Sequence, residues 1–138
     1  METILVVDDE VAICMLLQEF FSAKEYRVLT ATTGEAALAT IVSEDPQVVL
    51  LDLRMSGMSG LEVLQRVRRM EKNIRVIVVS AVQEEGMARE ALRMGADGYV
   101  TKPFDLASLE ITVLAKVALM AKCSVDAACA SLNPPLER

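Results

Sequence analysis

The chain has 138 residues, 53% of them hydrophobic and 25% charged, with a formal net charge of −6. Those values describe one globular domain able to bury a core, with no electrostatic footprint for nucleic acid, and direct DNA binding by this domain is not expected. There is no histidine, which excludes histidine triads, histidine zinc sites and histidine general bases, and leaves oxygen ligands for any metal.

In chain order, short apolar runs rich in β-branched residues occupy 3–7, 26–31, 47–51, 75–79 and 98–101, the length and composition of buried parallel strands. Between them the apolar residues recur at three- and four-residue spacing, which predicts helices over about 10–23 (Val11, Leu16, Leu17, Phe20, Phe21), 34–43 (Ala37, Leu38, Ile41, Val42), 60–70 (Leu61, Leu64, Val67) and 84–94 (Met87, Ala91, Leu92). A fifth helix begins near Asp105 and continues to at least Met120. Punctuation agrees. Asp45-Pro46 ends the second helix, Gly95 follows the fourth where a left-handed cap is wanted, and Pro103 cannot continue the fifth strand. Ser56 to Gly60 reads as a flexible loop. Repeated β-α units with right-handed crossovers give an α/β, doubly wound five-stranded parallel sheet with helices on both faces, whose ligands bind at the carboxyl edge of the strands.

No apolar stretch reaches the roughly 18 residues of a membrane span, and a strand-like segment starts at Thr3 with no secretory signal before it, so a cytoplasmic protein is expected. Cys14, Cys123 and Cys129 lack metal or disulfide spacing and read as reduced thiols. Residues 1–121 hold the whole β-α pattern, and 122–138 read as a tail or the start of an interdomain linker broken by Pro134-Pro135.

Polar residues fall at the strand ends: Asp8 and Asp9 after the first, Asp52 after the third, Ser80 after the fourth, Thr101 and Lys102 at the fifth. Singly each has a bland explanation, such as a helix cap, a turn or a solvated charge. Together, the fold brings three carboxylates, a hydroxyl and an ammonium to one edge. Three converging carboxylates repel one another and call for a hard cation, Mg2+ or Mn2+. Such a set suits phosphoryl transfer to a carboxylate. The cation would polarise the phosphoryl group while the hydroxyl and ammonium hold its remaining oxygens. Asp52 is the better nucleophile, since it has no acidic neighbour and precedes a Gly/Ser loop; Asp8 and Asp9 are the better metal ligands.

Several segments, in this order, resemble the receiver domain of two-component response regulators: Val6-Val7-Asp8-Asp9-Glu10, the stretch DLRMSGMSG from Asp52 to Gly60, Val79-Ser80-Ala81, and GADGYVTKPF from Gly95 to Phe104. The resemblance covers about residues 2–121 and implies a flavodoxin-like strand order of 2-1-3-4-5. It implies that Asp52 accepts a phosphoryl group from the phosphohistidine of a sensor histidine kinase or phosphotransfer protein. Asp9, Asp52 and the main-chain carbonyl of Arg54 would ligate Mg2+, with Asp8 acting through water. Lys102 would pair with phosphoryl oxygens, Ser80 would move in to hydrogen-bond them, and Tyr99 would swing inward behind it. Phosphorylation would then shift the population of the face formed by the fourth helix, fifth strand and fifth helix, a surface also suited to a homodimer or output-domain contact. The resemblance implies a regulatory phosphoprotein rather than an enzyme with external turnover, in a signal-transduction pathway or phosphorelay. Arg54 and Val82 would flank the phosphoryl group and tune its lifetime. One departure is Ser56, where the family commonly has proline.

Three rival functions compete with this reading. A haloacid-dehalogenase-like phosphatase needs two aspartates separated by one residue after the first strand, which Asp8-Asp9-Glu10 lacks. A flavodoxin-like carrier would place a flavin phosphate against two carboxylates. A receiver-shaped interaction module that is never phosphorylated is the alternative reading.

Overall fold

The computed structural model describes residues 2–125. Five strands, β1 (Thr3–Val7), β2 (Arg27–Ala31), β3 (Val48–Asp52), β4 (Arg75–Ala81) and β5 (Gly98–Lys102), alternate with five helices, α1 (Val11–Ser22), α2 (Gly34–Glu44), α3 (Gly60–Arg69), α4 (Glu85–Arg93) and α5 (Leu106–Val125). The strands form one parallel sheet in the order β2-β1-β3-β4-β5. The expected doubly wound architecture and strand order are therefore those of the molecule.

Both sheet faces are covered, so β1 and β3 are apolar throughout rather than alternating. Successive side chains point to opposite faces. Leu5, Val7, Val49, Leu51, Val76 and Val78 pack under α2, α3 and α4, whereas Ile4, Val6, Val48, Leu50 and Ile77 pack under α1 and α5 with Leu17, Phe21, Leu109 and Val113. A one-residue slip of a strand would exchange the two cores.

Local chemistry sets the helix ends. Thr33 caps α2 by accepting from the Ala36 amide at 3.1 Å, and Ser59 caps α3 by accepting from that of Glu62 at 3.3 Å. Asp45 ends α2 in the left-handed region at φ 52°, and Gly95 follows α4 at φ 108°. Between β4 and α4 lies a 3₁₀ turn, Val82–Glu84, so the fourth helix starts one residue later than its apolar spacing indicates. Of the apolar residues that marked the helical periodicity, Val11, Leu16, Val42 and Leu92 are exposed. Their spacing marks a helix, while Cys14, Leu17, Ala37, Ile41, Ala88 and Ala91 make the buried faces.

An ion network holds the far side of the sheet. Asp97 accepts from Arg68 at 2.9 Å, Arg75 at 3.3 Å and the Val76 amide at 2.8 Å. Among the described residues no helix is long and apolar enough to cross a membrane. Residues 126–138, and with them most of the expected tail, lie outside the described residues.

Candidate functional site

The carboxyl ends of β1, β3, β4 and β5 meet at one edge. Asp52 is the last residue of β3 and pairs in register with Val79, one residue before Ser80 on β4; Ser80 pairs with Thr101, one residue before Lys102 on β5. Parallel register thus converts scattered positions into neighbours. Asp8, Asp52 and Ser80 are 3%, 5% and 2% exposed, which leaves two carboxylates and a hydroxyl almost without solvent.

Asp8, Asp9 and Asp52 each offer an oxygen within 4.8 Å of the others. Ligands of an octahedral Mg2+ stand about 3 to 4 Å apart, so this all-oxygen set fits a hard divalent cation. Lys102 reaches the same spot, its Nζ 3.1 Å from Asp8 Oδ2 and 3.7 Å from both Asp52 Oδ2 and Glu10 Oε1. One ammonium does not balance this many acids. Burial, then the charge of Asp8, raises the Asp52 carboxyl from its ordinary 3.8 to about 7, against the opposing pull of Lys102 and the Arg54 amide. Burial lowers Lys102, but its hydrogen bond to Asp8 and the surrounding carboxylates outweigh that and leave it raised. The site favours an added positive charge.

Asp9 does not cap α1. The N-cap is Glu10, which makes no side-chain cap bond, and Asp9 Oδ2 accepts instead from the amide of Ser56, 47 positions away, at 3.2 Å. Asp8 Oδ1 accepts from the Glu10 amide at 2.9 Å. Both acids are aimed at the strand edge.

The 56–60 stretch, expected to be a flexible loop, makes contacts at four of its five positions, Gly57 at φ 77° being the exception. Ser56 is tied to Asp9, Met58 lies against Gly34, Ser59 caps α3, and the Gly60 amide donates to Leu53 O at 3.0 Å. Gly60 admits no side chain: a Cβ would stand 2.4 Å from Asp52 O and 2.6 Å from Leu53 Cα, both backbone atoms. The start of α3 is packed onto the strand that carries Asp52.

Arg54, two residues past Asp52, donates its amide to Asp52 Oδ1 at 3.4 Å while its guanidinium meets Glu84 at 3.2 Å. Sequence reasoning missed Glu84. The one available signal, an acid at the start of a helix, is weakened because Ala81 offers no capping oxygen. The side chain of Val82 lies outside the described ones.

Tyr99 is 42% exposed and, with Ser80, Ala81, Glu85 and Thr101, lines a cleft of about 140 Å³ behind the site. On the other flank, Ile13, Leu16, Lys102, Pro103 and Phe104 line an apolar cleft of about 390 Å³, beside the exposed Val11 and Met15.

Comparison with known proteins points one way. A family model described as the response regulator receiver domain matches residues 4–114. Sporulation initiation phosphotransferase F of Bacillus subtilis is 41% identical over 105 residues, covering 76% of this chain and 85% of that one. Regulatory protein AtoC of Escherichia coli is 40% identical over 110 residues, covering 80% of this chain and 24% of that one. Among solved structures, the response regulator protein TrrA from Thermotoga maritima, in complex with Mg(2+)-BeF, superposes with a TM-score of 0.76 at 35% identity, covering 84% of this chain and 99% of that one. The chain spans most of the first of these relatives, but only about a quarter to under a half of AtoC and of the transcriptional regulatory proteins ZraR, PhoP and KdpE.

Proposed function

This chain belongs to the response regulator receiver domain family, and from that premise we propose that Asp52 is its phosphoacceptor, charged by the phosphohistidine of a sensor histidine kinase or phosphotransfer protein. The observation that carries the reading is the cluster itself: oxygens of Asp8, Asp9 and Asp52 within 4.8 Å of one another, with the Lys102 ammonium 3.7 Å from Asp52.

A carboxylate oxygen of Asp52 attacks phosphorus, the bond from phosphorus to the donor imidazole breaks, and an acyl phosphate forms on the protein. The donor imidazole, protonated on its other ring nitrogen, takes the electron pair of the broken bond and leaves as the neutral ring. Mg2+, when bound, neutralises the acids and draws charge off the phosphoryl oxygens. Asp9, Asp52 and the Arg54 main-chain carbonyl would hold it, and Asp8 would act through water; Mn2+ would fit the same oxygens. Lys102 takes a phosphoryl oxygen and exchanges part of its bond to Asp8 for it. Ser80 closes on another, and Tyr99 turns into the cleft it shares with Ser80. The modified group is the protein's own, so this is a switch, with hydrolysis of its acyl phosphate as the only turnover.

The apolar cleft beside Lys102, with exposed Val11, Met15 and Leu16, supports docking of the donor next to Asp52. On the other side, exposed Leu92 on α4, Tyr99 on β5, and Ile111 and Leu114 on α5 support a homodimer or output contact through α4, β5 and α5. The unit spans 1–121, works in the cytoplasm and leaves DNA to other domains. Likeness to a sporulation phosphotransferase supports a phosphorelay role, and likeness to transcriptional regulators supports a receiver joined to an output domain.

Incubation with acetyl phosphate and Mg2+ tests the reading by intact mass. A gain of one phosphoryl group, lost in Asp52→Asn, is expected. No gain in the unsubstituted protein would leave only the unphosphorylated interaction module.

A further inference from the structure

Arg54 stands two residues from Asp52 and near three carboxylates, yet among the described ion pairs its guanidinium meets none of them. It meets Glu84, Nε to Oε2, at 3.2 Å. The other oxygen of Glu84 accepts from the amide of Ala81 at 3.2 Å, and Ala81 directly follows Ser80. Glu84 therefore has two anchors: Arg54 just after β3 and Ala81, the last residue of β4. The Arg54 amide completes the ring by donating to Asp52 Oδ1. Glu84 is only 10% exposed on its side chain, whereas Arg54 is 69% exposed, so the acid is the fixed member of the pair and the guanidinium the movable one.

We infer that Glu84 is a positioning residue for the phosphoryl chemistry, acting through Arg54 as a latch across the mouth of the site. This rests on the reading of Asp52 as phosphoacceptor. While the latch is closed, the guanidinium is held on Glu84 and the Ser80-Ala81 backbone is tied to the same acid. A doubly charged phosphoryl group on Asp52 competes with Glu84 for Arg54. Movement of Ser80 toward that group carries Ala81 along and stretches its bond to Glu84. The latch thus opposes the phosphoryl-bound arrangement, and the apparent affinity for a tetrahedral phosphoryl mimic is reduced by the fraction of molecules with the latch closed.

Glu84→Gln separates the two contacts, because the amide oxygen still accepts from Ala81 while the negative charge that faces Arg54 is lost. Titration of beryllofluoride with Mg2+, followed by fluorine NMR, is expected to give an affinity two- to fivefold tighter than in the unsubstituted protein, the range an exposed ion pair supports. Labelling by acetyl phosphate should speed up by a similar factor. In an Arg54→Ala background, Glu84→Gln should change neither quantity, a non-additivity that a purely structural role would not produce. Unfolding midpoints measured alongside report any loss of fold, and Arg54→Ala reaches the latch from its exposed partner. Unchanged or weaker binding in Glu84→Gln, or the same gain without Arg54, would overturn the latch. If the unsubstituted protein also fails to bind the mimic or gain phosphoryl mass, the phosphoacceptor reading falls with it.

Discussion

Replacing Asp52 with asparagine should stabilise the metal-free protein, and by an amount that depends on pH. The side chain is 5% exposed, and burial with the charge of Asp8 raises its carboxyl from 3.8 to about 7. The folded protein therefore binds more protons than the unfolded chain between about pH 4 and 7, and stability falls as pH rises through that window. At 1.36 kcal/mol per tenfold, the anion costs at most about 4 kcal/mol above pH 7. Because Asp8 and Asp52 share the repulsion, about 2 to 4 kcal/mol is the working range. Asparagine keeps the neutral shape. Thermal unfolding in a chelator, followed by circular dichroism from pH 4 to 8, should show little difference at pH 4. By pH 8 the variant should lead by about 10 °C, at about 3 to 5 °C per kcal/mol. Saturating Mg2+ should then raise the unsubstituted protein's midpoint more than the variant's, since the cation binds the folded site that asparagine weakens. A variant less stable than the original at pH 8 without metal, or a gain independent of pH, would refute this electrostatic account.

Mg2+ affinity should weaken as pH falls below about 7, because the ligand form of Asp52 is the anion, and calorimetric titration at two pH values would measure it. Lys102→Ala leaves Asp8 and Asp52 facing each other without their ammonium. It should cost about 2 to 3 kcal/mol in metal-free urea unfolding at neutral pH, be partly rescued by Mg2+, and slow labelling by acetyl phosphate. Gly60→Ala drives a methyl into Asp52 O and Leu53 Cα; a loss of about 3 kcal/mol and of most labelling is expected, and a fully labelled, stable variant would show that α3 can back away. Asp97→Asn removes the charge shared by Arg68 and Arg75 and one of the two oxygens they bond, on the far side of the sheet. It should lower stability by about 2 kcal/mol while labelling of the folded protein stays intact.

What could be read from the chain and what could not divide along physical lines. The runs ending at Val7 and Leu51 are apolar without alternation, a pattern that only a strand covered on both faces needs, so β1 and β3 were legible to within a residue. Parallel order then carried Asp8, Asp52, Ser80 and Lys102 to one edge with no knowledge of their partners. Contacts between distant loops were not legible. Asp9 looks like a helix cap until the chain brings Ser56 to it, and Glu84 is one acid among several until Arg54 reaches across. The constraint on Gly60 was equally hidden, since a glycine reads as flexibility where the fold instead needs the absence of a side chain. Exposed Val11 and Leu16 on α1 fit the helical period but serve no core, which directs attention to the apolar surface beside Lys102.

The claim that Asp52 itself carries the phosphoryl group is tested most directly by trapping the bond. After incubation with acetyl phosphate and Mg2+, borohydride reduces an acyl phosphate to an alcohol, and peptide mass spectrometry locates the reduced residue. Reduction at position 52 alone, absent from Asp52→Asn, is the expected result. Reduction at Asp8 or Asp9 instead, or at none of the three, would contradict the assignment of Asp52 as the acceptor.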